Sequence, residues 1–389
     1  MDSIDARATA DVLEKIRSMS NGPGFIYRYQ FLMRSKGHHE GSSVAETPSS
    51  AADAHQWMRS SVLEQNGWDP PDSTSEQDGC DLAKATHCLM QNDLDRAFDL
   101  FCSVSSRGKS AADRVLGEIG RGTVELLTDR AADLVAREHE GIRLLSDVSG
   151  DRSLCDAWSC LCGLAAFSTG RFGCAARCFT SVSGQEPADL PFVMSARAIG
   201  HYGALSVLST VSWNEIDYEG GAVFFDVYVK PVEELNEIFE QILRFEYGAA
   251  VRSVVRAVEW LRFDAFVSPH VAELTTSILR QAVGTNLAAY GRIRLRELVE
   301  VCGLEGRDER AVVGLVSGIR GLECRYDCVR GEFSVRAAVS PAPLTPRSVV
   351  CSLMNKQMKH DMEMSFCRFD HRTSRDLCEA PGPGGEMHQ

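Results

Sequence analysis

The chain has 389 residues, 44% of them hydrophobic, which is enough for a large core or for two to three domains. Its 54 acidic and 41 basic side chains leave a formal net charge of −13, which disfavours a broad contact with nucleic acid because phosphate binding needs clustered Lys and Arg. No run of about 20 apolar residues is present to span a bilayer, and Met1 to Lys15 mixes Asp2, Asp5, Arg7, Asp11 and Glu14 with no apolar signal region, so a soluble protein of cytoplasm and nucleus is expected.

Residues 1–80 read as a poorly ordered N-terminal region and linker. Ser35 to Ser50 and Asp69 to Gly79 are rich in Ser, Gly, Asp, Glu and Pro and bury too little apolar area to offset chain entropy. Just before them, Phe25, Ile26, Tyr27, Tyr29, Phe31 and Leu32 form a segment apolar enough to dock on some other surface. His38 and His39 are adjacent in an extended polar stretch, where neighbouring side chains point apart, so a solvated loop is preferred to a shared metal.

Residues 81–230 read as helix after helix. Leu82, Ala85, Leu89, Leu94, Ala97, Phe98 and Phe101 flank a break at Gln91 to Asp93 and predict a helical hairpin. Arg152 to Val182 repeats the form, with a turn at Thr169, Gly170 and Arg171. Such pairs cannot bury their apolar faces alone, so they stack into a helical-repeat arm without a fixed period. Gly117, Gly120 and Gly122 lack the Lys and Ser or Thr of a phosphate loop and read as a helix break. Fourteen cysteines lie in apolar helical stretches and read as reduced core thiols without disulfides. Cys174 and Cys178, four apart on one helix face, have ligand-like spacing with Cys155, Cys160 and Cys162. The neighbouring Ala175, Ala176 and Phe179 mark a packed interface instead, and buried thiols are the preferred reading over zinc.

Residues 231–284 predict three helices. Pro231 suits a first helical turn, Glu233 and Glu234 complement the dipole, and Leu235, Ile238, Phe239, Ile242 and Phe245 form the first stripe. Val251, Val254, Val255, Val258 and Leu261 form the second, and Val271, Leu274, Ile278 and Ala282 the third, with turns at Gly248 and around Asp264. Asp264 and His270 stand at a helix start, where capping is preferred to an acid/base pair.

Residues 290–336 predict a winged helix. Ile293, Leu295, Leu298, Val299 and Cys302 make one short helix, Gly303 to Gly306 a turn, and Val312, Val313, Leu315, Val316 and Ile319 a second helix. The spacing then changes to two. Leu322, Cys324 and Tyr326 alternate with Glu323, Arg325 and Asp327, and Gly331 permits a hairpin into Phe333 and Val335. Glu309 to Arg320 offers too few cations to enter a nucleic-acid groove. Residues 345–370 predict one last helix, with Val349, Leu353 and Met358 inward, and 371–389 a disordered tail.

Several of these stretches carry a resemblance. Gly163-Leu-Ala-Ala-Phe-Ser-Thr-Gly-Arg-Phe-Gly-Cys-Ala-Ala-Arg-Cys-Phe179, Tyr202-Gly-Ala-Leu205, Phe245-Glu-Tyr247, Asp264-Ala-Phe-Val-Ser-Pro-His-Val271, Ile278-Leu-Arg280 and Arg325-Tyr-Asp327 follow one another as similar segments do in the COP9 signalosome subunit 1 family. The chain departs from that family at Tyr290-Gly-Arg-Ile293, which lacks a preceding proline, at Leu279 between Ile278 and Arg280, and through the N-terminal third. The resemblance implies a mostly α fold: a TPR-like helical-repeat solenoid followed by a PCI domain at 231–336, with a winged-helix subdomain and a C-terminal helix. It also implies a noncatalytic scaffold whose partners are other PCI subunits and metalloprotease-like subunits of a complex that deneddylates cullins and so regulates cullin-RING ligases. Two other identities stay open: the equivalent subunit 7 of the proteasome regulatory lid, and a PCI protein that binds RNA in export or translation initiation.

The sequence contains neither a His-x-His metalloprotease pattern nor His-Glu-x-x-His, and it nominates no catalytic, cofactor-binding or metal-ligating residue. The residues expected at a partner interface are Leu322, Cys324 and Tyr326 on an edge strand with Phe333, and Val349, Leu353 and Met358 on the last helix, because an unpaired edge and an apolar helix both need cover.

Overall fold

The computed structural model describes residues 6–20, 23–36, 81–146, 148, 151–182, 193–216, 223–319 and 322–336. The expected linker after residue 36, the last helix with Val349, Leu353 and Met358, and the tail lie outside the described residues. The described chain is predominantly helical, with one small sheet.

The N-terminal region is a correction to the sequence reading. Helices α1 (Ala6–Met19) and α2 (Pro23–Lys36) are formed there. Val12, Ile16, Tyr29 and Leu32 bury against one another with Phe263 alongside, and Met19 joins the main core.

From residue 81 the chain runs through α3 (Asp81–Met90), α4 (Leu94–Arg107), α5 (Ala111–Leu127), α6 (Ala131–Ala136), α7 (Glu138–Ser146), α8 (Arg152–Ser168), α9 (Phe172–Thr180) and α10 (Ala196–Thr210). Short polar side chains start these helices by accepting amide hydrogens that have no partner within the helix. Asp93 accepts from the Arg96 amide and Asp151 from Leu154, while Ser110 and Asp113 satisfy each other's amides reciprocally. Gly170, at φ +73°, closes the turn between α8 and α9 where the sequence places it.

The glycines of α5 do not break it. A Cβ on Gly117 would stand 2.5 Å from the Ser105 amide nitrogen, and one on Gly120 would stand 2.3 Å from the Phe101 ring. These positions admit α4 at close range, and that gain offsets the helix propensity that glycine forfeits.

A π-helical turn, Phe225–Val229, leads to α11 (Glu233–Leu243) and α12 (Tyr247–Glu259), and a 3₁₀ turn, Trp260–Phe263, leads on to α13 (Val271–Ala289). Pro231 lies before α11 rather than within it, and Val232 is the cap residue. Leu235, Ile238, Phe239 and Ile242 are buried as the stripe predicts. Phe245 is not: it sits past the end of α11 at φ +61° and is 75% exposed. The turn therefore falls at 244–246, and Gly248 belongs to α12. Its lack of a side chain has a different cause, since a Cβ there would stand 2.9 Å from the Val301 carbonyl oxygen. Val255 is also exposed, so only part of the second stripe faces inward.

One continuous core runs from Met19 to Phe333 and crosses the boundary expected near residue 230. Phe225 meets Phe239 edge to face at 5.1 Å, and the Trp213 amide donates to Thr285 Oγ1 at 3.1 Å. Helix α10, buried along most of its length, packs on both α9 and α13.

Two charged networks lie inside this core. Arg28 of α2 is fully buried. Its Nε donates to Asp264 Oδ2 at 3.1 Å, and its Nη atoms donate to Tyr202 Oη at 2.8 Å, the Val193 carbonyl at 2.8 Å and Ser20 Oγ at 3.0 Å. Tyr202 in turn donates to Asp264 Oδ2 at 2.6 Å. The second network holds Glu118 and Glu125 of α5, both about as buried as the surrounding aliphatics, against Arg137. Ser105 Oγ donates to Glu118 Oε2 at 2.9 Å, and Arg121 Nε approaches Glu125 Oε1 at 3.4 Å.

Candidate assembly surface

The last described elements are β1 (Arg292–Arg294), α14 (Leu295–Val301), α15 (Glu309–Ser317), β2 (Glu323–Asp327) and β3 (Glu332–Arg336). Ile293, expected at a helix start, instead pairs with Phe333 in β1, and the helix begins two residues later. Burial of Ile293, Leu295 and Leu298 continues across that change, which is why an apolar pattern over so few residues does not separate strand from helix. Gly303 at φ +64° and Gly306 at φ +87° shape the turn between α14 and α15.

The sheet has the order β1-β3-β2, both pairs antiparallel. β3 is therefore central and, among the described residues, β2 is an edge. Phe333, expected at a partner interface, is only 1% exposed and belongs to the core beneath the sheet. It is not available to a partner.

The register decides what the edge offers. The Val335 amide donates to the Gly291 carbonyl, and the Gly331 carbonyl accepts from the Leu295 amide, so odd-numbered β3 residues direct their backbone groups toward β1. Ser334, opposite Arg325, then faces β2, and the alternation leaves the backbone N–H and C=O of Cys324 and Tyr326 on the open side. Their side chains do the reverse. Leu322, Cys324 and Tyr326 are half-buried against the core, and the Tyr326 ring lies 4.7 Å from that of Phe333, a pairing worth about 0.5–1.5 kcal/mol beyond area burial. The solvent face of β2 carries Glu323, Arg325 and Asp327. At the hairpin tip Asp327 Oδ1 accepts from the Val329 and Arg330 amides, and the Val329 side chain is 91% exposed.

Of the four interface residues placed on this sheet, Cys324 and Tyr326 thus lie together on one edge, offering main chain rather than side chain. Leu322 stands one residue before β2.

Other residues singled out by the sequence resolve into structural roles. Neither Asp264 nor His270 caps a helix by its side chain: Asp264 follows the 3₁₀ turn, its Oδ1 accepts from the Phe266 amide at 2.9 Å in a local turn, and its other oxygen receives Arg28 and Tyr202. His270 instead approaches Glu273 at 3.8 Å. Arg28 was missed; its signal was a lone cation inside the apolar run Phe25 to Leu32.

Cys160 and Cys162 are buried, and burial pushes their thiols far above the usual range; Cys178 is pushed up to about 12 by burial and by Glu138, 3.9 Å away. Such thiols yield thiolate only at strongly alkaline pH. Among the described residues no group of three or more His, Cys, Asp or Glu is placed to hold a metal ion, and no helix is long and apolar enough to cross a membrane. Arg310 is the sole cation of α15. His38 and His39 lie outside the described residues. No model of a known protein family matches the chain.

Proposed function

We propose that this chain is a noncatalytic scaffold subunit of a multisubunit complex of the COP9 signalosome kind. In this reading the strand-helix-helix-hairpin succession of β1, α14, α15, β2 and β3 is the winged helix of a PCI domain, and the preceding helices are its helical-repeat arm. The observation that carries the proposal is the open β2 edge, with the Cys324 and Tyr326 backbone groups unpaired among the described residues at the end of a helical body. An unpaired edge is a template for a partner strand, and main-chain pairing supplies affinity without a side-chain motif. The complex would deneddylate cullins through a separate metalloprotease subunit, while this chain positions its neighbours.

The test is purification of the tagged chain from its native cells, with partner identification and a cullin deneddylation assay on the eluate. Recovery of a metalloprotease subunit and deneddylase activity supports the signalosome reading; proteasome ATPases would transfer the chain to the regulatory lid.

The edge itself is tested by Cys324→Pro. Proline there deletes an outward N–H and leaves the β2-β3 ladder intact, so partners are expected to be lost while the melting temperature changes by less than about 4 °C, the shift that roughly 1 kcal/mol produces in a domain of this size. Full retention of the partners would rule out strand addition at β2. Aspartate at Leu322 or Tyr326 is a poorer probe, because both side chains pack on the core and their loss would disturb the sheet.

A further inference from the structure

The N-terminal half of α12 touches the α14-α15 turn backbone to backbone. A Cβ on Gly303 would stand 2.4 Å from the Gly248 carbonyl oxygen, so both positions demand glycine. Farther along α12 the two elements part and enclose a groove of about 560 Å³. Val251 and Leu304 close its floor and are almost fully buried, so the apolar side chain it offers is Val255, 38% exposed in its wall. Its rim is cationic. Arg252, Arg256 and Arg307 line it and are all exposed, against the single carboxylate of Glu305. Arg252 lies 3.7 Å from Glu305, each side chain 56% exposed, a contact that an incoming carboxylate can replace at little cost.

From this geometry we infer that the groove docks an acidic segment of a partner protein, with one apolar side chain packed against Val255. Charge complementarity names the occupant. The protein carries a net charge of −13, yet this groove gathers three guanidinium groups around one carboxylate. Guanidinium forks pair with carboxylates bidentately, and the volume suits a few side chains. Arg252, Val255 and Arg256 follow one another on a single exposed face of α12, which matches a ligand presenting acids and an apolar anchor at helical spacing. This surface is separate from the β2 edge and does not depend on the scaffold reading.

The experiment is fluorescence anisotropy on the full chain, with a short fluorescein-labelled peptide of Asp and Glu carrying one Leu. Saturable binding is expected, weakened at least about tenfold by Arg252→Glu combined with Arg307→Glu, and likewise by Val255→Asp, with circular dichroism unchanged. Arg296→Glu, an exposed change on α14, is expected to leave binding as it was. The proposal is overturned by absence of saturable binding, by an equal loss in Arg296→Glu, or by tighter binding of a single-stranded RNA oligonucleotide. It is also overturned if the peptide binds only after Glu64, Asp69, Asp72, Glu76 and Asp78 are changed to their amides, which would make the chain's own acidic segment the occupant.

Discussion

Replacing Arg28 with methionine is expected to cost about 3–5 kcal/mol of stability, the penalty of leaving one partner of a buried ion pair without the other. The guanidinium is fully buried and serves Asp264, Tyr202, Ser20 and the Val193 carbonyl at once. Burial by itself would lower its pKa, but Tyr202 and Asp264 carry it upward, so the group stays charged. Burial and Asp264 raise the Tyr202 phenol well above its usual value, and it remains a proton donor. Methionine preserves much of the volume, so the expected loss is electrostatic rather than a cavity effect. Urea denaturation measures it, and Asp264→Asn on the Arg28→Met background is expected to recover part of it, since the two residues act as one network. Because Arg28 joins α2 to α10 and the turn before α13, hydrogen exchange in α1 and α2 is expected to quicken ahead of the remaining helices. A loss below about 1 kcal/mol would mean that the N-terminal helices are held by apolar contact alone.

Arg137→Met is expected to cost up to about 3–5 kcal/mol near neutral pH, because it strips from two buried carboxylates the more buried of their two shared cations, Arg121 remaining 3.4 Å from Glu125 and 3.9 Å from Glu118. The loss has a direction with pH. Burial raises the Glu125 pKa above the ordinary glutamate range, against the pull of Arg121. A raised carboxyl pKa means that the native state binds a proton over a window in which the unfolded chain has already ionised. Stability therefore falls as pH rises through that window, and the penalty vanishes below the unfolded pKa. Removing the Arg137 guanidinium shifts the native pKa farther upward and deepens the penalty. The deficit relative to the parent protein is thus expected to be largest at neutral pH and to shrink on mild acidification. Urea titrations at neutral and at mildly acidic pH check this, with Glu125→Gln on the variant background expected to flatten the difference. A deficit independent of pH would point to lost packing of the arginine stem.

The helices around Gln91 to Asp93 and Thr169 to Arg171, and the α11 stripe, were legible in the sequence because each depends on neighbours within one or two turns: a capping oxygen, a left-handed glycine, apolar residues at helical spacing. The β2-β3 hairpin was legible for the same reason, since alternation and Gly331 are local signals. Where contacts are distant, local pattern gave the wrong sense or none. Gly248 looks like a turn and Gly117 like a break, although both are places where another backbone approaches a continuous helix. Phe245 continues the α11 period and still faces solvent, because the chain leaves the helix just before it. Arg28 meets Asp264 across 236 residues, a pairing that no window along the chain contains.

The interface candidates divide in the same way. The alternation of Leu322, Cys324 and Tyr326 with Glu323, Arg325 and Asp327 was legible along the chain, since side-chain alternation is a property of the strand alone. That β3 lies between β1 and β2, which buries Phe333 and, among the described residues, leaves the Cys324 and Tyr326 main chain at an open edge, follows from the tertiary fold. Strand order and the side on which a backbone hydrogen bond is made are settled by which elements meet, and that is a balance of contacts summed over the whole fold.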